Sequence, residues 1–240
     1  LLTAGLPRLE ALLPGVADRI PPLLPALAGT VFGVFVVLGA CNSTNLIDGL
    51  DGLCAGVTAV SALGFMVLGL LVGDAGLMVL MSAGLLGASL GFLPHKFQPA
   101  GIFMGDAGSL LLGYCSGVLI LVLASTGPQG LIAGVLIFGL PIYDTALAML
   151  RRWRNGKPIF EGDRSHFYDQ LVQRGFTVRQ TALTCYAVAA AFAAIGVLAG
   201  VSPLWVALLL ALGAAGATGV VSLAAGFASA DPTTRLRPLP

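Results

Sequence analysis

Seven mostly apolar runs constrain this chain more than any other feature. They lie roughly over 24–42, 53–73, 76–93, 109–126, 130–150, 180–200 and 203–226. A helix of about 20 apolar residues crosses a hydrocarbon core about 30 Å thick. Turn-prone pairs separate the runs, among them Gly127-Pro128 and Ser202-Pro203. The expected fold is therefore an all-α polytopic membrane protein, one membrane-embedded domain over 1–240 with seven transmembrane helices. Composition agrees: 57% of residues are hydrophobic, 10% are charged and mean hydropathy is +0.96. Soluble domains carry about 25% charged residues. A soluble globule, a disordered chain and a nucleic-acid-binding domain are excluded. The four cysteines are scattered through or beside apolar runs with no CxxC, so neither a disulfide framework nor a zinc site is indicated.

Charge position sets the expected orientation. The segment 151–180 holds seven of the twelve Lys and Arg residues, which places it in the cytoplasm. Counting spans outward, 43–52, 94–108 and 227–240 fall on the same side. Asp48, Asp51, Asp106, Glu161, Asp163 and Asp169 then share that side, and Asp74 stands alone on the other. Asp144 sits within a run, six residues from its end, so about 9 Å deep along a straight helix. Acids gathered at one set of helix ends point to a site at the cytoplasmic interface, away from a midplane pathway.

Three constellations carry chemistry. In Asn42-Ser-Thr-Asn45-Leu-Ile-Asp48-Gly49-Leu50-Asp51-Gly52 the two amides share a helical face, and Gly49 and Gly52 let the chain turn back. Such oxygens suit a hard cation, or a nucleobase and sugar hydroxyls; a plain polar turn is the structural alternative. In Phe103-Met104-Gly105-Asp106-Ala107-Gly108-Ser109, Asp106 falls at a helix start, where it caps the helix or holds a phosphate-bridging cation. In the basic loop, Arg151, Arg152 and Arg154 read as topological anchors, whereas Arg164 and His166 stand close enough to serve a diphosphate.

Together these motifs resemble the polyprenyl-phosphate N-acetylhexosamine-1-phosphate transferases. The likeness rests on Asn42 to Leu53, Phe103 to Ser109, Pro141xxAsp144, Arg151-Arg152 and Pro158xPhe160xxAsp163Arg164xHis166. The GlcNAc-transferring branch is nearer than the MurNAc-pentapeptide branch, on Asp163-Arg164-Ser165-His166 and Gly175 to Gln180. The resemblance implies transfer of a sugar-1-phosphate from a UDP-N-acetylhexosamine to undecaprenyl phosphate in a bacterial plasma membrane, with release of UMP. It implies Mg2+ or Mn2+ held by Asp106 with help from Asn45. Asp48, Asp106 and His166 are the catalytic residues it implies. Asn42, Gly49, Leu50, Asp51, Lys96, Phe103 and Arg164 are the substrate contacts, with Phe103 packing on the base. No nucleic acid partner is expected, and a homodimer is compatible with the family.

The family pattern also holds an Asp-Asp loop before the first run seen here, so the chain reads as entered partway through. One His stands in His166-Phe167-Tyr168-Asp169 where relatives often have three, and Lys96 stands where many have Asn. The rival readings are a transporter, for which Asp144 is the sole intramembrane carboxylate, and a non-catalytic remnant of the same family.

Overall fold

The computed structural model describes residues 23–73, 76–156, 158 and 166–227. The described residues form helices and connections, with no strand: α1 (Leu23–Leu46), α2 (Leu53–Val72), α3 (Leu77–Lys96), α4 (Gly105–Ala124), α5 (Pro128–Ile137), α6 (Gly139–Arg154), α7 (Phe167–Gln173), α8 (Val178–Gly200) and α9 (Leu204–Ala224). Six of these are long and apolar enough to cross a membrane, and the pair α5–α6 makes the count seven if it is one broken span. The protein is a multi-pass membrane protein.

Local chemistry sets the ends. Pro128 opens α5, where its missing N–H costs nothing. Thr177 and Gln180 close a reciprocal cap on α8: the Gln180 N–H donates to Thr177 Oγ1 at 3.2 Å and the Thr177 N–H to Gln180 Oε1 at 2.9 Å. Gly52 enters α2 at φ 77°, in the left-handed region that favours glycine.

The expected straight span over 130–150 is bent by 78° between α5 and α6. Pro141 explains the break. It has no N–H to return to the Ile137 carbonyl four residues back. The buried Ser61 hydroxyl of α2 donates to that carbonyl instead, at 3.1 Å. The elbow lies before Asp144, and the stretch from Asp144 to the helix end stays within the single helix α6.

α2 is the most enclosed helix, with Leu53, Cys54, Val57, Ala62, Phe65 and Leu68 all buried. It packs on α3 and α8; α1 packs on α4, and α5 on α8 and α4. Of the Gly-xxx-Gly pairs Gly87/Gly91 and Gly113/Gly117, the second makes a close helix crossing. A Cβ at Gly113 would lie 2.5 Å from Cys41 Cα, and one at Gly117 3.1 Å from Val37 Cα. At Gly87 and Gly91 a Cβ would meet nothing within 4 Å. The glycines of α4 therefore let α1 lie against its backbone, as small residues do in membrane bundles.

Candidate active site

The α1–α4 crossing brings two sequence-distant motifs together. α1 runs on past the apolar run to Leu46, so Asn42 and Asn45 stand in its last turns. Asn42 is exposed. The Asn45 amide nitrogen donates to Asp106 Oδ1 at 3.2 Å and lies 3.0 Å from Ser109 Oγ. Asp106 is exposed in the first turn of α4, and Gly105 before it takes φ 68°. That turn requires a residue at ease in the left-handed region, which accounts for the glycine.

The second half of the first motif folds over the other end of the site. Asp48 and Lys96 form an ion pair at 3.7 Å with both side chains largely buried. Burial pushes the Asp48 carboxyl above the ordinary carboxylate range; Lys96 opposes that shift, and the Asp106 and Asp51 charges add to it. The Lys96 ammonium also sits 4.8 Å from the centre of the Phe103 ring, which is otherwise 79% exposed. Lys96 thus connects Asp48 to the aromatic ring proposed for base stacking. The Ala100 N–H donates to Asp51 Oδ2 at 3.2 Å, and Arg179 donates to the Gln98 carbonyl at 3.0 Å. These bonds tie the Gly49–Gly52 turn and the start of α8 to the loop before Phe103. Leu50 is half-buried against the core.

His166 arrives from the far side. Its Nδ1 lies 2.7 Å from Asp144 Oδ2, with both residues buried, and its ring stacks on Tyr168 at 5.6 Å between centres. The Tyr168 hydroxyl donates to the Leu46 carbonyl at 3.1 Å. It also explains Gly49: a Cβ there would come within 2.2 Å of that hydroxyl. Gly49 is required for room, Gly52 for backbone angle. Burial raises the Tyr168 hydroxyl above the usual phenol range, so it stays protonated and donates. Asp169 accepts from the His166 N–H at 3.1 Å and caps α7. The two residues that stand where relatives often carry histidine both have positions of their own.

Sequence reading missed three things here. It treated Arg151 and Arg152 as anchors, but both are buried, and of the three only Arg154 is exposed. It gave Asp144 no partner and Tyr168 no task. A carboxylate within an apolar run was the available signal, because such a group needs a partner inside the protein. Arg164 lies outside the described residues, as do Asp74, Lys157, Phe160, Glu161 and Asp163.

The glycosyl transferase family 4 model matches residues 5–124, which includes both the Asn45 and the Asp106 motifs. The chain belongs to glycosyl transferase family 4. It is 35% identical over 179 residues to a probable undecaprenyl-phosphate N-acetylglucosaminyl 1-phosphate transferase of Bacillus subtilis, covering 74% of this chain and 50% of that protein. It is 36% identical over 196 residues to a decaprenyl-phosphate N-acetylglucosaminephosphotransferase of Mycobacterium tuberculosis, covering 71% and 46%. It is 34% identical over 198 residues to an undecaprenyl-phosphate alpha-N-acetylglucosaminyl 1-phosphate transferase of Escherichia coli, covering 77% and 52%. This family 4 chain therefore spans about half the length of the curated relatives it matches.

Among the described residues no three His, Cys, Asp or Glu groups cluster to hold a metal alone. The donor set still fits Mg2+ or Mn2+. Mg2+ commonly takes one or two carboxylates and completes its shell with water and substrate phosphates. Asp106 offers an exposed carboxylate, oriented by the Asn45 amide. With its amide nitrogen turned to Asp106, Asn45 has only its carbonyl oxygen left to offer a cation or its water.

Proposed function

We propose that the protein transfers a sugar-1-phosphate, GlcNAc-1-phosphate by the chemistry of its relatives' names, from a UDP-sugar to undecaprenyl phosphate. An oxygen of the lipid phosphate bonds to the sugar-bearing phosphorus, and the bond from that phosphorus to UMP breaks. The observation that carries the reading is the 3.2 Å contact between Asn45 and Asp106, which joins two motifs 61 residues apart at one end of the bundle. A divalent cation at Asp106 would neutralise charge on the diphosphate during transfer. Asn45 orients the carboxylate that would hold it. Asp48, pinned by Lys96, and the Gly49-Leu50-Asp51 turn lie where a uridine would dock, with Phe103 as its stacking surface and Asn42 at the rim. His166 and Arg164 serve the diphosphate and sugar phosphate. The site faces the cytoplasm of a bacterial plasma membrane, as the basic residues of 151–180 direct.

The test is UMP release by the purified protein in lipid nanodiscs. Release should require both the UDP-sugar and the prenyl phosphate. Asp106→Asn should bring it to background while the protein still purifies and unfolds at the wild-type temperature. Wild-type turnover in that variant would remove the metal assignment. UMP release indifferent to the prenyl phosphate would remove the transferase reading.

A further inference from the structure

Asp144 has contacts that neither lipid insertion nor orientation requires. It is 2% exposed in α6 and both its oxygens have polar partners. Oδ2 lies 2.7 Å from His166 Nδ1, and Oδ1 accepts from the Phe167 N–H at 2.6 Å. The backbone N–H fixes Oδ1 as an acceptor, and Oδ2 is an acceptor as well when Asp144 is a carboxylate. Two groups meet the ring at this helix cap: the Asp169 N–H, which calls for a lone pair, and Asp144, which calls for a proton. The charged partner is the stronger one, so Nδ1 carries the proton and Nε2 is the basic atom whenever the ring is neutral. The ring is also held on its flat side. Tyr168 stacks on it with planes 4° apart, and the Tyr168 hydroxyl is fixed to the Leu46 carbonyl, beside the turn that carries Asp48.

A purely structural account assigns Asp144 to capping α7, whose first N–H belongs to Phe167. That accounts for the Oδ1 bond but not for the bond to Nδ1, since an amide at 144 would cap the helix equally well. We propose that Asp144 is a positioning residue that holds His166 in the Nδ1–H tautomer and so makes Nε2 the atom that accepts or holds a proton during phosphate chemistry. The part concerning phosphate chemistry rests on the transferase reading; the tautomer does not.

Asp144→Asn separates the two accounts. Its carbonyl can keep the Phe167 bond, and its NH2 then faces Nδ1. A donor there requires a lone pair on Nδ1, so the proton moves to Nε2. The chain has two histidines, so ring-15N spectra of the protein in nanodiscs are assignable with a single His95→Gln variant. The expected result is a protonated Nδ1 in the wild type and a protonated Nε2 in Asp144→Asn. Turnover should fall about 10²- to 10⁴-fold, the range for losing a correctly presented proton acceptor, with KM for the UDP-sugar near wild type. In a His166→Gln background the same substitution should cost nothing further. A wild-type ring protonated on Nε2 overturns the proposal, and that spectrum decides whether or not the variant folds. Wild-type turnover in a variant whose tautomer has switched overturns its link to transfer. If no chain, wild type included, releases UMP, the transferase reading fails while the tautomer result stands.

Discussion

Gly113→Ala should damage the active site from about two helical turns away. The Cβ it adds would stand 2.5 Å from Cys41 Cα, 2.7 Å from the Ala40 carbonyl oxygen and 2.9 Å from Cys41 N. All three are backbone atoms, so no rotamer change relieves the contact. Ordinary contact begins at 3.4 Å, so α1 and α4 must part by about 0.9 Å at this level. Asn45 lies one turn beyond Cys41 on α1, and Ser109 one turn before Gly113 on α4. Opening the crossing by that amount takes the Asn45 contacts from 3.2 and 3.0 Å to about 4 Å, beyond hydrogen-bond range. Overpacking of this kind costs about 1–3 kcal/mol. Losing a hydrogen bond to a charged group adds about 1.5–3 kcal/mol. Misplacing a reacting group by about 1 Å can cost about 100-fold in rate. Thermal unfolding in detergent and UMP release in nanodiscs read the two effects separately. Gly117→Ala, with its nearest contact at 3.1 Å, should be milder. Gly87→Ala meets nothing within 4 Å and should be neutral or slightly stabilising, since alanine favours helix over glycine by about 1 kcal/mol. A Gly113→Ala protein with wild-type unfolding and turnover would refute the link between this crossing and the site.

Two further substitutions probe the rest of the site. Gly49→Ala should destabilise the protein, and Tyr168→Phe in the same chain should recover part of the loss, because the added Cβ meets the Tyr168 hydroxyl first and its ring carbon at 3.0 Å next; strictly additive losses in thermal unfolding would count against this contact. Lys96→Met removes the one cation that opposes the upward shift of the Asp48 carboxyl, so that carboxyl should titrate higher still. An acid whose folded pKa is raised contributes stability below its unfolded value, about 3.9, and loses it as pH rises through the folded value. The destabilisation by Lys96→Met should therefore grow as pH rises above about 4 and then level off, and an Asp48→Asn background should abolish that pH dependence.

The membrane spans were legible in sequence because hydropathy and length decide them. The elbow at Phe138 was not, because apolar content says nothing of direction. Pro141 lies inside a continuous apolar run, and only the position of Ser61 across the core shows how the broken carbonyl is satisfied. Gly87/Gly91 and Gly113/Gly117 have the same spacing, yet of these two pairs only the second faces a neighbouring backbone. Which face meets a partner is a property of tertiary packing and leaves no local mark. In the site, the family resemblance paired Asn45 with Asp106, and the two are in contact. Their meeting through an amide donor, and the burial of Lys96 between Asp48 and Phe103, arise from helix packing and have no local signature in the chain. Arg151 and Arg152 misled because two arginines at a helix end fit the orientation rule equally well whether exposed or buried.

The bond from Ser61 to the Ile137 carbonyl has an evolutionary consequence. In lipid no water stands ready to replace a lost partner, so an orphaned carbonyl at the elbow would cost about 1–3 kcal/mol. Ser61 and Pro141 are thus coupled in what they tolerate, although 80 positions separate them in the chain. A lineage that replaces Pro141 with a residue bearing an N–H can restore the helical bond and release Ser61 to drift. A lineage that loses Ser61 first would carry the full penalty. The order of substitution is therefore constrained: the proline must go before the serine. Chimeras that exchange α5 and α6 between relatives should respect the same pairing and carry the matching residue of α2 with them.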